Sequence, residues 1–243
     1  MLFGSRIVIM AALMLFVLVG TGHAQSTEKF EVGGQFSVLH LAVPFHAPTG
    51  PFICLSCPAF VIGHERDTEP GFGGRFGYNV NDNVAVEAEV NFFPSVETFK
   101  GEVGFSSVAQ IFGNGNNLQG LFGVKAGKRF EKVGIFAKAR PGFLSESNGD
   151  VQPKTEGVCI QIFPPPAGCF DAKRKTFFAF DVGGVVEVYP SKRTVIRFDA
   201  GDTIVRTGER IVPVGFSTHL AVAPIAAETT HNFQASIGFA YRF

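Results

Sequence analysis

The residues able to do chemistry fall into three sets, and their spacing decides what each could do. The thiols are Cys54, Cys57, Cys159 and Cys169. In an oxidising compartment such thiols pair, and four of them allow three pairings. Cys159–Cys169 would close the Pro164-Pro165-Pro166 tip and Cys54–Cys57 would form a local bridge, with cross-loop pairing as the alternative. A redox role for Cys54-x-x-Cys57 needs a helix N-terminus to lower a thiol pKa, and Pro51 and Pro58 bracket a loop instead. A zinc site made from all four lacks a second close pair. The histidines, His23, His40, His46, His64, His219 and His231, are scattered, and no Ser and acid recur beside them at a hydrolase spacing. His231 beside Thr230 and Glu228 is the one cluster to test for catalysis. Gly113-Asn114-Gly115-Asn116 follows no strand-to-helix context and reads as a turn, not a phosphate loop. No cofactor and no metal site is expected.

The third set is charged. Glu31, Glu87, Glu89, Asp181, Glu187 and Asp199 stand against Arg75, Lys125, Lys138, Arg140, Arg197 and Arg242, all at alternate positions within apolar-rich stretches. Signs that cancel so closely suit a closed interior, because an unpaired buried charge costs several kcal/mol.

Eight stretches carry these groups. They run about Lys29–Leu41, Gly71–Asn79, Val84–Phe93, Asn117–Lys128, Val133–Phe143, Thr176–Tyr189, Thr194–Asp202 and His231–Phe243. Each alternates between an apolar and a small or polar residue, the period of a strand with two different faces. In the third, Val84, Val86, Ala88, Val90 and Phe92 oppose Glu87, Glu89 and Asn91. In the last, Phe233, Ala235, Ile237, Phe239, Tyr241 and Phe243 oppose Asn232, Gln234, Ser236, Gly238, Ala240 and Arg242. The polar rows are rich in glycine (Gly33, Gly73, Gly123, Gly183 among them), as a crowded lumen requires and a solvated face does not. Ser107–Phe112 also reads as extended and could start the fourth strand early.

The connections alternate in length. Asn79–Asn83, Arg129–Lys132 and Pro190–Arg193 are tight and turn-rich, whereas Ala42–Pro70, Pro94–Asn116, Leu144–Lys175 and Thr203–Thr230 are long. Short turns at one end and long loops at the other are the layout of transmembrane barrels of the bacterial outer membrane. An eight-stranded barrel has an interior just wide enough for side chains to fill. No charge interrupts the middle of an apolar row, where Lys or Arg at the bilayer midplane would cost roughly 2–4 kcal/mol. A lipocalin-like soluble barrel would reverse the faces, with apolar residues around a ligand. Aromatic positions near strand ends, Phe30, Phe72, Tyr78, Phe92, Phe143, Phe178, Tyr189, Tyr241 and Phe243, are expected to form interfacial girdles, with Phe in place of the absent Trp.

The run Ser236-x-Gly238-x-x-Tyr241-x-Phe243 resembles the C-terminal signal by which outer-membrane assembly machinery takes up barrel proteins. With that signal, the mature chain resembles small outer-membrane barrels of the OmpA/OmpX kind, without the peptidoglycan-binding domain that follows the barrel in the OmpA arrangement. The resemblance implies an all-β, closed, eight-stranded antiparallel up-and-down barrel over residues 25–243. It also implies outer-membrane lipid and the assembly machinery as partners, and a monomer.

Met1 to Ala24 reads as a cleaved signal peptide: Arg6 in the n-region, Ile7 to Val19 as the apolar core, and Gly22-His23-Ala24 as the cleavage site. The apolar core is shorter than the ~20 residues a helix needs to cross a bilayer. Beyond it no run is long enough for a helical span, so a spanning structure must be a closed barrel. No basic stripe or charge run marks a nucleic-acid footprint. Three functions fit, in this order: a side-chain-filled barrel acting in envelope integrity or in binding an extracellular partner through its long loops, a narrow pore for water or small solutes, and a lipid-modifying enzyme. The first is the expectation, with no enzymatic activity.

Overall fold

The computed structural model describes residues 28–48, 60–96, 102–103, 106–107, 115–153, 170–216 and 219–243. Residues 1–24 and the four cysteines, Cys54, Cys57, Cys159 and Cys169, lie outside the described residues, and with them the signal-peptide and disulfide expectations. Eight strands close a barrel: β1 (Phe30–Pro48), β2 (Phe60–Asn79), β3 (Val84–Val96), β6 (Gly115–Arg129), β7 (Val133–Pro153), β8 (Phe170–Val188), β9 (Thr194–Thr207) and β12 (Glu228–Arg242). Each pairs antiparallel with its neighbours, and β12 returns to β1 with Arg242 opposite Glu31 and Gly238 opposite Gln35. That seam is tied at its foot by Phe30 and Phe243, which exchange backbone hydrogen bonds of 3.0 and 2.9 Å and stack their rings 5.9 Å apart.

The barrel closes because each strand has one face fit for hydrocarbon and one fit for its own interior. Val90 (53 % exposed) and Phe122 (60 %) point outward, while the neighbouring Glu87 and Lys125 (1 % each) point in. The ring of outward Phe, Val and Ile continues on every strand of the wall, through Phe36, Phe76, Ile135, Val186, Phe198 and Phe239. Among the described residues no helix is long and apolar enough to cross a membrane; the crossing is made by strands.

Inward glycines let the wall coil tightly around its contents. A Cβ on Gly183 would sit 2.2 Å from the carbonyl oxygen of Ala200, and one on Gly201, its partner across β8 and β9, 2.4 Å from that of Val182. Gly73 yields the space that the Asn91 amide occupies, its would-be Cβ lying 2.2 Å from Asn91 Oδ1.

The tight turns fall where the sequence places them, between β2 and β3, β6 and β7, and β8 and β9. The first is fastened by Asn81, whose side-chain oxygen accepts from the backbone N–H groups of Asn83 and Val84, both at 2.8 Å. The opposite ends differ from expectation. Much of what reads as long loop is strand: β1 and β2 continue their ladder from His40–Thr68 up to Pro48–Phe60, and β7 and β8 continue to Pro153–Phe170 after a bulge between Glu146 and Asp150. Thr203–Thr230 contains its own hairpin, β10 (Arg210–Phe216) with β11 (His219–Ile225). β4 (Glu102–Val103) pairs minimally with β5 (Ser106–Ser107), and the rest of the extended stretch expected over Ser107–Phe112 lies outside the described residues. In these extensions the period-two signal ends while the backbone pairing persists. A crossing needs about 9–11 residues per strand, and β1, β2, β7 and β8 have 19, 20, 21 and 19. The surplus, at about 3.4 Å per residue, lifts two ribbons well clear of the barrel.

Candidate functional site in the barrel lumen

The interior is arranged in three layers. The layer nearest the tight turns is ionic. Each of the six acids and six bases named from the sequence is buried in the lumen, none more than 5 % exposed. They form one alternating path. Arg75 meets Glu31 (3.5 Å), Glu31 meets Arg242 (3.1 Å), and Arg242 meets Glu187 (3.0 Å). Lys125 bridges Glu187 and Glu87, the latter at 2.9 Å. Arg197 grips Glu87 with both terminal nitrogens and reaches Asp199 at 2.8 Å. Lys138 joins Asp199 to Asp181 (2.9 Å), and Arg140 joins Asp181 (2.7 Å) to Glu89 (2.6 Å). Base and acid alternate from Arg75 to Glu89 without two like charges in succession, so burial leaves no net charge to neutralise from outside. Paired, hydrogen-bonded charges are the form in which ions tolerate a dry interior.

Strand register explains why partners distant in sequence meet. Arg140 and Asp181 are opposite each other on β7 and β8, and Glu187 and Arg197 on β8 and β9. The contacts between Glu87 on β3 and Arg197 on β9 cross the lumen instead. Rings pack over the same cations: Phe136 with Lys125 at 5.1 Å, and Tyr189 with Arg242 at 4.6 Å.

The middle layer is made of amides. Arg75 donates to Gln35 (3.1 Å) and Gln35 to Asn91 (2.8 Å). Asn91 Nδ2 donates both to Glu89 (2.7 Å), which ties this layer to the ions, and to Gln119 (2.8 Å). Gln119 and Gln234 exchange reciprocal hydrogen bonds of 2.8 and 3.1 Å across the lumen, and Thr203 donates to Gln234 (2.8 Å). Above lies an apolar layer: Leu39, Leu41, Phe93, Leu144, Phe177, Ala179 and Val205, each at most 5 % exposed. Over that, Arg210 meets Glu146 at 3.3 Å at the root of the β10–β11 hairpin. Burial pushes the Glu146 carboxyl above the ordinary carboxylate range, against the pull of Arg210.

The amides stand on the alternate positions that the sequence marks as polar; the apolar layer does not. Leu39, Leu144 and Phe177 occupy inward positions with outward chemistry, and only the three-dimensional register discloses them. Tyr189 also differs from its expected place in a lipid-facing girdle. Its hydroxyl donates to Glu187 Oε2 (2.8 Å) and accepts from Arg129 Nε (3.2 Å), so it closes the inner rim of the lumen. The remaining aromatic positions near the tight-turn end cluster outside, with Phe30 against Tyr78 (5.2 Å); near the other end Phe72 meets Phe92 (5.7 Å).

Of the terminal tetrad, Tyr241 and Phe243 lie outward (42 and 55 % exposed), while Ser236 and Gly238 lie on the inward row of β12. His231 and Glu228 lie three residues apart on β12, an odd spacing that puts them on opposite faces of the strand. The His231 ring pairs instead with Asp202 on β9, Nδ1 to Oδ2 2.6 Å, on the outer wall. Among the described residues no group of His, Cys, Asp and Glu could hold a metal ion.

The family model of the outer membrane protein beta-barrel domain matches residues 9–243. A search of curated proteins returned no match. Among solved structures the chain is similar to AlkL in lipid bilayers (16 % identity, 92 % of this chain and 94 % of that one, TM-score 0.47). It is similar to Neisserial surface protein A, NspA (12 %, 88 % and 97 %, 0.44). It is also similar to Ail, the attachment invasion locus protein of Yersinia pestis (13 %, 88 % and 99 %, 0.39). An eight-stranded closed barrel, greasy outside and ionic within, matched by the family model over residues 9–243: the chain belongs to the outer membrane protein beta-barrel domain family of the bacterial outer membrane.

Proposed function

We propose that this protein is a sealed barrel whose role is carried outside the membrane, in envelope integrity or in binding an extracellular partner through its raised ribbons. The observation that supports this reading is the filling of the lumen by three successive layers. A solute entering from the ribbon side would pass the Arg210–Glu146 pair and then meet Phe93, Leu144 and Phe177 before reaching the amides. A solute entering from the tight-turn side would have to part Lys125 from Glu87 and Arg197 from Glu87 and Asp199. The narrow-pore reading would need a water path through all three layers.

In this proposal Ser236, Gly238, Tyr241 and Phe243 guide the chain to the barrel-assembly machinery, and the finished barrel is a monomer in outer-membrane lipid. The ionic path Glu31, Arg75, Glu87, Glu89, Lys125, Lys138, Arg140, Asp181, Glu187, Arg197, Asp199 and Arg242 is structural. No catalytic role is assigned. The experiment is planar-bilayer recording beside a surface-binding assay. The sealed barrel gives no stepwise conductance, and shortening the β1–β2 ribbon above His40–Thr68 to a tight turn abolishes cell-surface binding while the barrel still folds. Steady conductance in the parent protein, or surface binding indifferent to both ribbons, would refute the reading.

A further inference from the structure

The outer wall carries polar groups at the top of its apolar band, and they are concentrated on four neighbouring strands. On β12 and β9, Thr229 faces Arg206, and Arg206 Nη1 donates to the threonine hydroxyl at 3.0 Å. One row lower His231 holds Asp202, with side chains 64 and 38 % exposed. On β1 and β2, His40 and Thr68 are paired in register, 3.0 Å from Nδ1 to Oγ1. His40, Phe233 and Asp202 lie on one lateral row across β1, β12 and β9. All of these point away from the lumen.

Below them the same strands form a depression. Ala235 faces Ala200, and Ala200 faces Gly184, so the row under Phe233 is built of small side chains. One row further down lies a shallow, open lipid-facing groove lined by Gly34, Phe36, Ile196, Ile237, Gly238 and Phe239. Gly34 is its open floor: a Cβ there would meet nothing nearer than a carbonyl oxygen at 3.9 Å. From His231 to Ile237 the strand advances about 20 Å at ~3.4 Å per residue. At the ~40° tilt of such strands that is about 15 Å of depth, the thickness of one leaflet of a ~30 Å hydrocarbon core.

We propose that this face of β1, β9 and β12 binds a phosphorylated glycolipid of the outer leaflet, its phosphate on Arg206 and His231 and one acyl chain in the groove below. Arginine presents a planar fork matched to phosphate oxygens. His231 holds Asp202 through Nδ1, and an imidazolium donates from both ring nitrogens, so Nε2 is the one left for an anion. The width favours a sugar headgroup over a glycerol one. From Thr68 on β2 to Arg206 on β9 is three inter-strand steps, about 14 Å at ~4.8 Å each, and the groups between are imidazoles, a hydroxyl, the Asp202 carboxylate and the Phe233 ring.

The test is native mass spectrometry of the full barrel, refolded and released from nanodiscs holding one of three lipids at equal fraction. These are lipopolysaccharide, the same glycolipid stripped of its phosphates, and phosphatidylglycerol. The parent protein is expected to retain one lipopolysaccharide, at least tenfold above the other two. Arg206→Gln with His231→Gln should reduce that retention at least tenfold, and so should Gly34→Phe, which fills the groove from outside. Lys128→Gln, on the opposite interface, should not. Each variant is first checked for the heat-dependent gel shift of a folded barrel, and since all four residues lie on the surface, folding is expected to survive. Equal retention of the dephosphorylated glycolipid, equal retention of phosphatidylglycerol, or indifference to the Arg206/His231 and Gly34 changes would each overturn the proposal.

Discussion

Glu87→Gln removes one negative charge from the centre of the ionic path while keeping the shape of the side chain. Glu87 lies 2.9 Å from Lys125 and is held by both terminal nitrogens of Arg197, with Arg140 3.9 Å away. The variant therefore leaves a net positive charge among cations that are at most 1 % exposed and cannot turn to water. Breaking a buried pair from one side costs about 3–5 kcal/mol. With a urea dependence of about 2 kcal/mol per molar, the unfolding midpoint of the vesicle-inserted barrel should fall by about 2 M. Restoring neutrality with Glu87→Gln/Lys125→Met should recover at least half of that loss, since matched removal of a buried pair is often close to neutral. Tryptophan is absent, so the transition is followed by circular dichroism and by the heat-dependent gel shift. A single variant within about 0.5 kcal/mol of the parent, or a double variant no better than the single, would refute the claim that charge balance governs this lumen.

Other consequences are as direct. Val90→Arg, on the outer wall, should cost about 2–4 kcal/mol in bilayers, and a neutral result in the same assay would contradict a lipid-facing Val90. Gly183→Leu should stop the barrel folding, because its Cβ would meet the Ala200 carbonyl at 2.2 Å; a normal gel shift would contradict the close approach of β8 and β9. Replacing Phe93, Leu144 and Phe177 together by alanine opens only the upper layer, so planar bilayers should stay silent, and they should stay silent when Gln119→Ala and Gln234→Ala are added, because the ionic layer below still closes the lumen. Conductance from the upper-layer variant alone would show that the amide and ionic layers do not seal.

What could be read from the chain depended on where two environments alternate. Glu87, Glu89 and Asn91 against Val86, Val90 and Phe92 announce their faces because one side meets lipid and the other meets ions. The strand ends at the tight turns were legible for the same reason, aided by the Asn81 and Ser191 turn chemistry. The other ends were not. Above His40–Thr68 the pattern that marks a strand stops, while the backbone pairing runs on to Pro48–Phe60. The apolar layer was hidden differently: Leu39 and Phe177 look like wall residues, and only the register turns them inward. Nor could the order of the ionic path be foreseen. The sequence lists acids and bases, but which one faces which depends on tilt and stagger around the closed barrel.

The central claim is about which face meets lipid, and methyl groups test it without any substitution. In the refolded barrel in lipid, magnetisation transfer should connect acyl-chain protons to the methyls of Val90 and Ile135, 53 and 57 % exposed, and not to those of Leu121 and Val185, 3 and 1 % exposed inside the lumen. Acyl contacts at Leu121 and Val185, with Val90 and Ile135 silent, would mean that the barrel is inside out relative to this account.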